Sequence, residues 1–205
     1  MYYTRLLSLL PIFVLLLGGC ASGPAKKSAT DPLIETQQRN SGKLPTEELA
    51  TRYQSALTEL NNGDYETAKK SLQKIIDIDA DLAGPWANLA LIHIKQNYYE
   101  EAEKKVTIAL DKNPKMAQAL NIAGFIEYQK GNINTAKNYY QKAITNKPDY
   151  ALAHYNLALL YDVYLQEIAK AVIHYQRYLD LSDHQDKKTR VWVKELKRNL
   201  PQGDT

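Results

Sequence analysis

The chain repeats itself every 34 residues, and this period constrains its fold more than any other feature. Blocks beginning at Leu49, Ala83, Ala117 and Ala151 carry a small residue in the eighth place: Ala56, Ala90, Gly124 and Ala158. The twentieth place holds Ala68, Ala102 and Ala136, and Ala171 matches after a one-residue insertion. Four places further on stand Leu72, Val106, Tyr140 and Tyr175, and Ala80, Pro114 and Pro148 lie near the block ends. Gly63 and Gly131 fall midway, where two helices would turn. Antiparallel helices approach closely only where small side chains face each other, here at the eighth and twentieth places. Large residues such as Trp86, Leu89 and Val106 fill the space beside those contacts. Proline after the second helix prevents its continuation. Each block therefore reads as a helix pair that buries its apolar face only against its neighbours.

The pattern resembles the tetratricopeptide repeat over about 49 to 182. The second block fits it best, with Trp86, Leu89, Ala90, Ala102, Ala109 and Pro114 all in register. The resemblance implies an all-α solenoid of four helix pairs, with repeats at 49–82, 83–116, 117–150 and 151–182 inside a domain spanning 46–182. There are departures: Ala80 replaces the proline of the first block, and Ala123 and Glu127 stand where the third would carry larger residues. The fourth has ten residues from Tyr161 to Ala171 where the others have nine, and it lacks a turn glycine.

A last helical segment, about Gln185 to Asn199 within 183–200, follows the repeats. Trp192, Leu196 and Leu200 recur at spacings of four and give it one apolar face. Lys187, Arg190, Lys194, Lys197 and Arg198 occupy much of the rest. A solenoid needs a terminal cap with a polar outer face, so a capping helix is expected. The basic stripe leaves contact with anionic lipid or an acidic partner as the other reading.

The first 45 residues carry no such period. Met1 to Arg5 holds one positive charge, Leu6 to Leu17 is mostly apolar, and Gly18 and Gly19 lead into Cys20, the one cysteine of the chain. That order is a secretory signal over 1–19, too short and too interrupted by Pro11 for a comfortable bilayer span. Leu17-Gly18-Gly19-Cys20 also resembles the lipobox of bacterial lipoproteins, in which the cysteine thiol and the new amino group are acylated. The resemblance implies a covalent lipid on Cys20 and no other cofactor. In such lipoproteins Ala21 and Ser22, with no aspartate after the cysteine, point to the outer membrane. Residues 20–45 are rich in small and polar residues and read as a tether of about 25–30 Å end to end. Thr46-Glu47-Glu48 after Pro45 then offers a helix start with acidic residues in its first turn.

A single cysteine excludes an intrachain disulfide framework and multi-thiolate zinc. With 26 Lys and Arg against 23 Asp and Glu, the net charge of +3 gives no electrostatic footprint for nucleic acid. No phosphate-cradling glycine loop, dinucleotide fingerprint or paired-histidine metalloprotease motif occurs. His93, His154, His174 and His184 share no metal-ligand spacing, and Ser182-Asp183-His184 reads as a helix break rather than a triad. The chain is expected not to be an enzyme and to hold no metal.

The resemblance implies a groove lined by the first helix of each pair, with the second, fifth, ninth and twelfth places facing inward. Those places supply Tyr53, Leu57 and Leu60, then Leu91 and Ile94, then Gln118, Asn121, Phe125 and Tyr128, then Leu152, Tyr155, Leu159 and Asp162. Tyr53, Leu57, Leu91, Ile94, Asn121, Phe125, Tyr128, Tyr155 and Leu159 are the candidate partner-binding residues, although any one Leu or Tyr at helical spacing could equally belong to the core. Asn88 and Asn156 recur, but Tyr53, Leu57 and Leu91 stand where a carboxylate clamp would need polar groups. Signal, lipidated cysteine, tether and repeats together resemble the tetratricopeptide lipoproteins that help assemble type IV or Flp-type pili. That resemblance implies an outer-membrane scaffold facing the periplasm, with a secretin or another envelope-assembly protein as partner. The alternative is an adaptor for peptidoglycan hydrolases or synthases.

Overall fold

A computed structural model describes residues 46–182 and 185–200. The signal at 1–19, Cys20, the tether up to Pro45, and Asp183 and His184 lie outside the described residues. The elements are α1 (Thr46–Asn61), α2 (Tyr65–Ile78), α3 (Ala83–Lys95), α4 (Tyr99–Lys112), α5 (Ala117–Gln129), α6 (Ile133–Asn146), α7 (Ala151–Leu159), α8 (Ile168–Leu181) and α9 (Lys187–Asn199). A π-helical turn over Leu160–Tyr164 prolongs α7. Four helix pairs thus stack in chain order, and α9 packs on α8. The described residues contain no strand and no helix long and apolar enough to cross a membrane.

The seam between the two helices of each pair is made by the small residues of the eighth and twentieth places. Ala56, Ala68, Ala90, Ala102, Ala136, Ala158 and Ala171 are all fully buried there. Gly124 shows how tight the seam is, since a Cβ at that position would lie 2.6 Å from the ring of Tyr140. Beside the seam, Leu72, Val106, Tyr140 and Tyr175 fill the pair interiors. Trp86 packs against two successive core clusters, and its indole N–H donates to the Ala80 carbonyl at 3.1 Å, fastening the first inter-repeat loop.

The turns repeat as faithfully as the seam. Gly63, Asn97 and Gly131, spaced 34 apart, and Gln166, one residue late, all have left-handed φ, at 81°, 64°, 79° and 55°. The amide after each donates back to a carbonyl five residues earlier in the first three turns: Asp64 to Glu59, Tyr98 to His93 and Asn132 to Glu127. In the fourth, Glu167 donates six residues back to Tyr161. The inserted residue is thus absorbed by widening the last turn of α7, the usual effect of one extra residue in a helix.

Between repeats, Asp79, Asn113 and Lys147 share an extended backbone near φ −145° and ψ 90°. A following proline imposes that conformation on Asn113 and Lys147. Asp79, followed by Ala80, keeps it with a side chain that accepts from the Asp81 amide at 3.1 Å. The missing proline of the first block therefore leaves the geometry intact.

The apolar face of α9 differs from the one read from sequence. Thr189, Val193 and Leu196 are buried and Leu200 packs beside them, whereas Trp192 is 42% exposed. A strict spacing of four drifts by 40° per step around a helix, so the alternation of four and three selects the face that stays on α8. Asp186 caps the helix by accepting from the Thr189 amide at 3.0 Å.

Candidate functional site: the inner face of the first helices

The ninth place supplies the most regular feature of the inner face. Leu57, Leu91, Phe125 and Leu159, one from each repeat, are all half-buried on α1, α3, α5 and α7. They form an apolar line that no single repeat could offer. Of the residues in the second, fifth, sixth, ninth, twelfth and thirteenth places, only Lys95 and Asp162 carry charge. Burial holds the Lys95 ammonium below the usual lysine range and pushes the Asp162 carboxyl up, against hydrogen bonds from Trp192 and Tyr175 that lower it. The face is therefore apolar and amide-lined rather than ionic.

A ladder of polar side chains runs beside this line. Asn88 donates its amide N–H to the Tyr53 hydroxyl at 2.5 Å, and Gln118 donates to Asn88 Oδ1 at 2.8 Å, joining three successive first helices. Asn156 donates to Asn121 Oδ1 at 3.0 Å in the same 35-residue register as Asn88 and Tyr53. The sixth place thus links each of these repeats to the fifth place of the one before. Tyr53 can lie flat across α3 because Gly84 has no Cβ, and one there would meet the hydroxyl at 2.6 Å.

Two candidates are not surface residues. Ile94 is 2% exposed and sits in the core with Ala102 and Val106, as Leu60 does one repeat earlier. At the twelfth place a short branched side chain is covered where the helix meets its turn, whereas Tyr128 is long enough to reach out. Asn121 is also 2% exposed, its amide oxygen turned to Asn156, so it belongs to the ladder's interior.

Aromatic rings gather toward the C-terminal half. Phe125 lies 6.4 Å from Tyr99 and 6.3 Å from Tyr128, and Tyr128 stands edge-on to Tyr164 at 5.5 Å with the two hydroxyls 3.0 Å apart. Burial and the Tyr164 hydroxyl push the Tyr128 phenol well above its ordinary pKa, so it remains a neutral donor and acceptor. Tyr164 enters from the π-helical turn, which the 34-residue period gives no means of placing. Tyr155 is edge-on to Tyr175 and Tyr178, at 5.7 and 5.0 Å, so much of its ring serves the packing of the fourth repeat. Asp162 closes this end by accepting from the Trp192 indole at 2.6 Å and the Tyr175 hydroxyl at 3.3 Å.

Two of the histidines, His154 and His174, have structural partners. His154 Nε2 lies 3.1 Å from the Pro148 carbonyl and must donate to it. His154 Nδ1 is then the acceptor for His174 Nδ1–H, 3.0 Å away. His174 also stacks on Tyr161. Burial lowers both imidazoles, and with His154 beside it His174 falls to about 4. Among the described residues no three His, Cys, Asp or Glu side chains are grouped to hold a metal ion.

Models of the tetratricopeptide repeat match residues 49–82 and 87–133, and a further TPR repeat model matches 124–162. The described residues are a tetratricopeptide-repeat solenoid, the fold of a protein-interaction scaffold. The uncharacterized protein ycf37 of Pyropia yezoensis is 36% identical over 73 residues, 36% of this chain and 40% of that protein. The chain spans less than half the length of the curated relatives it matches. Among solved structures, Pseudomonas aeruginosa PilF superposes with a TM-score of 0.64 at 24% identity, covering 73% of this chain and 68% of that one. The first TPR of Spaghetti (RPAP3), bound to the HSP90 peptide SRMEEVD, gives 0.52 at 16% identity, covering 60% and 97%. These likenesses to solved structures concern the fold.

Proposed function

We propose that the chain is a non-enzymatic, lipid-anchored scaffold of the outer membrane whose inner face holds a segment of an envelope protein. The observation that carries this reading is the line of Leu57, Leu91, Phe125 and Leu159, open on the first helices of four consecutive repeats and continued by Tyr128 and Tyr164. Apolar anchors at a fixed pitch suit an apolar helix or extended segment, and the sparse charge of the face disfavours a carboxylate-terminated acidic peptide. Cys20 and the tether would hold the repeats at the periplasmic face of the membrane, with a secretin or its assembly apparatus as the partner. This assignment to pilus or secretion-machine assembly rests on the order of signal, cysteine, tether and repeats.

The test is in-cell photocrosslinking from Phe125 and Leu91, with exposed Lys104 of α4 as the outer-face control. A secretin or pilus-assembly protein captured from the inner positions and not from Lys104 supports the reading. Capture from Lys104 alone overturns the groove assignment, and capture of peptidoglycan hydrolases replaces the partner class. In the same cells, residues 20–205 with Cys20→Ala behind a cleavable non-lipoprotein signal should leave the membrane fractions, and full retention would overturn the lipid anchor.

A further inference from the structure

The outer face of α9 does no work in the solenoid. Its inner face runs Thr189, Val193, Leu196 and Leu200 along α8, at spacings of four, three and four. The same spacings on the opposite side give Lys187, Val191, Lys194 and Arg198, with Lys188 and Arg190 flanking them. All six of these residues are exposed. The 13-residue helix holds six cations, counting Lys197, against the single carboxylate of Glu195. Since the whole chain is only +3, the rest of it is net acidic and the positive charge is concentrated here.

Most of these charges are not used internally. Arg198 pairs with Glu195 and Lys197 donates to Gln176, but Lys187, Lys188, Arg190 and Lys194 make no ion pair with any described residue. A cap needs a polar outer face, and that need is met by charges of mixed sign. A stripe of one sign, with Val191 63% exposed at its centre, exceeds that requirement.

We infer that the outer face of α9 is a docking surface for an anionic membrane. Charge complementarity selects an anionic occupant, and the shape selects a planar one. The outer side of a single helix is convex and gives a peptide no groove, whereas a sheet of headgroups needs none. Clustered lysine and arginine on a helix draw anionic lipid, each contributing as an independent charge near the surface. Val191, exposed at the centre of the stripe, reaches the headgroup boundary, where an apolar side chain is favoured. Docked this way, the C-terminal end of the solenoid lies against a bilayer. The inference does not depend on the groove or on the lipid at Cys20.

The experiment uses the chain from residue 20 onward, without the apolar signal at 1–19, and with Cys20→Ala, so that neither an apolar segment nor an acyl group anchors it. Its partitioning is compared on vesicles of phosphatidylcholine alone and of phosphatidylcholine mixed with phosphatidylglycerol. Anionic vesicles should bind it more tightly, and salt should abolish the difference. Lys187→Gln, Arg190→Gln and Lys194→Gln together should weaken anionic binding about 10²-fold, at about fivefold per cation. These positions are exposed, so helicity and unfolding midpoint should be unchanged. Equal binding to both vesicles, or triple-variant binding equal to that of the parent, overturns the inference. So does salt-sensitive binding to polyglutamate without vesicle binding, which would assign the stripe to an acidic protein.

Discussion

The third and fourth repeats meet the same packing problem and solve it differently. Both place a tyrosine, Tyr140 or Tyr175, where the first two repeats have Leu72 and Val106. The third makes room by removing a Cβ, because Tyr140 occupies the space that an alanine at position 124 would need. The fourth keeps Ala158 and is one residue longer, and the Tyr175 hydroxyl reaches Asp162 in the widened turn. The first solution leaves a seam closed by the Tyr140 ring itself. The second brings the Asp162 carboxylate, the Tyr175 hydroxyl and the Trp192 indole together at the widened turn.

The seam gives the largest expected effect. Gly124→Ala forces a methyl group against the fully enclosed Tyr140 ring, and overpacking of this kind costs about 1–3 kcal/mol. The better helix propensity of alanine returns about 1 kcal/mol, leaving a net loss of up to about 2 kcal/mol in chemical denaturation. Gly124→Ala combined with Tyr140→Leu should recover part of that loss, because the clash is gone. In the fourth repeat Ala158→Gly opens room that Tyr175 does not use and should cost only the ordinary 0.5–1 kcal/mol or so of a helical glycine. If Gly124→Ala stabilises the protein, the two repeats do not differ as described.

The histidine pair gives the next effect, confined to the fourth repeat. The folded pKa of His174 is lowered to about 4 from an ordinary value of 6.5, so between these limits the unfolded chain binds more protons. Stability is therefore complete above about pH 6.5 and falls as pH drops toward 4. Discounted for the partial exposure of the ring, the loss should be about 1–2 kcal/mol across that window. Urea midpoints against pH should show it, and His174→Phe should flatten the profile. Hydrogen exchange should place the loosening in α7 and α8 and leave α5 and α6 unchanged. A profile that is equally steep in His174→Phe would assign the acid sensitivity to other groups.

What could be read in the sequence follows from the same contrast. The 34-residue period reports contacts that recur, so it exposes the seam alanines, the positions of the turns and the line of Leu57, Leu91, Phe125 and Leu159. It carries no information on side-chain reach. Ile94 and Tyr128 share a place in the period, yet one is buried and the other extends to Tyr164, because a tyrosine is several ångströms longer than an isoleucine. Polar pairing was equally hidden. The recurrence of Asn88 and Asn156 in the sixth place is visible in the sequence, but their partners in the preceding repeat become evident only once the helices are stacked. On α9, period alone could not decide between two candidate apolar faces, and contact with α8 selects Val193 over Trp192.

The smallest effect separates backbone from side-chain causes. A Cβ on Gly131 would meet no atom within 4 Å, so Gly131→Ala tests only the left-handed φ of 79°. It should cost about 1 kcal/mol, the usual penalty for an L-residue held in that region. The fourth turn already carries such a penalty, since Gln166 holds φ at 55°. Gln166→Gly relieves it while adding chain entropy to the unfolded state and removing the glutamine's own interactions. The net gain should therefore be smaller, about 0.5 kcal/mol, and should raise the melting temperature by about 1–2 °C. If Gly131→Ala is neutral and Gln166→Gly destabilises, the turn does not require the left-handed residue, and the fourth repeat departs from the other three in its backbone as well as in its length.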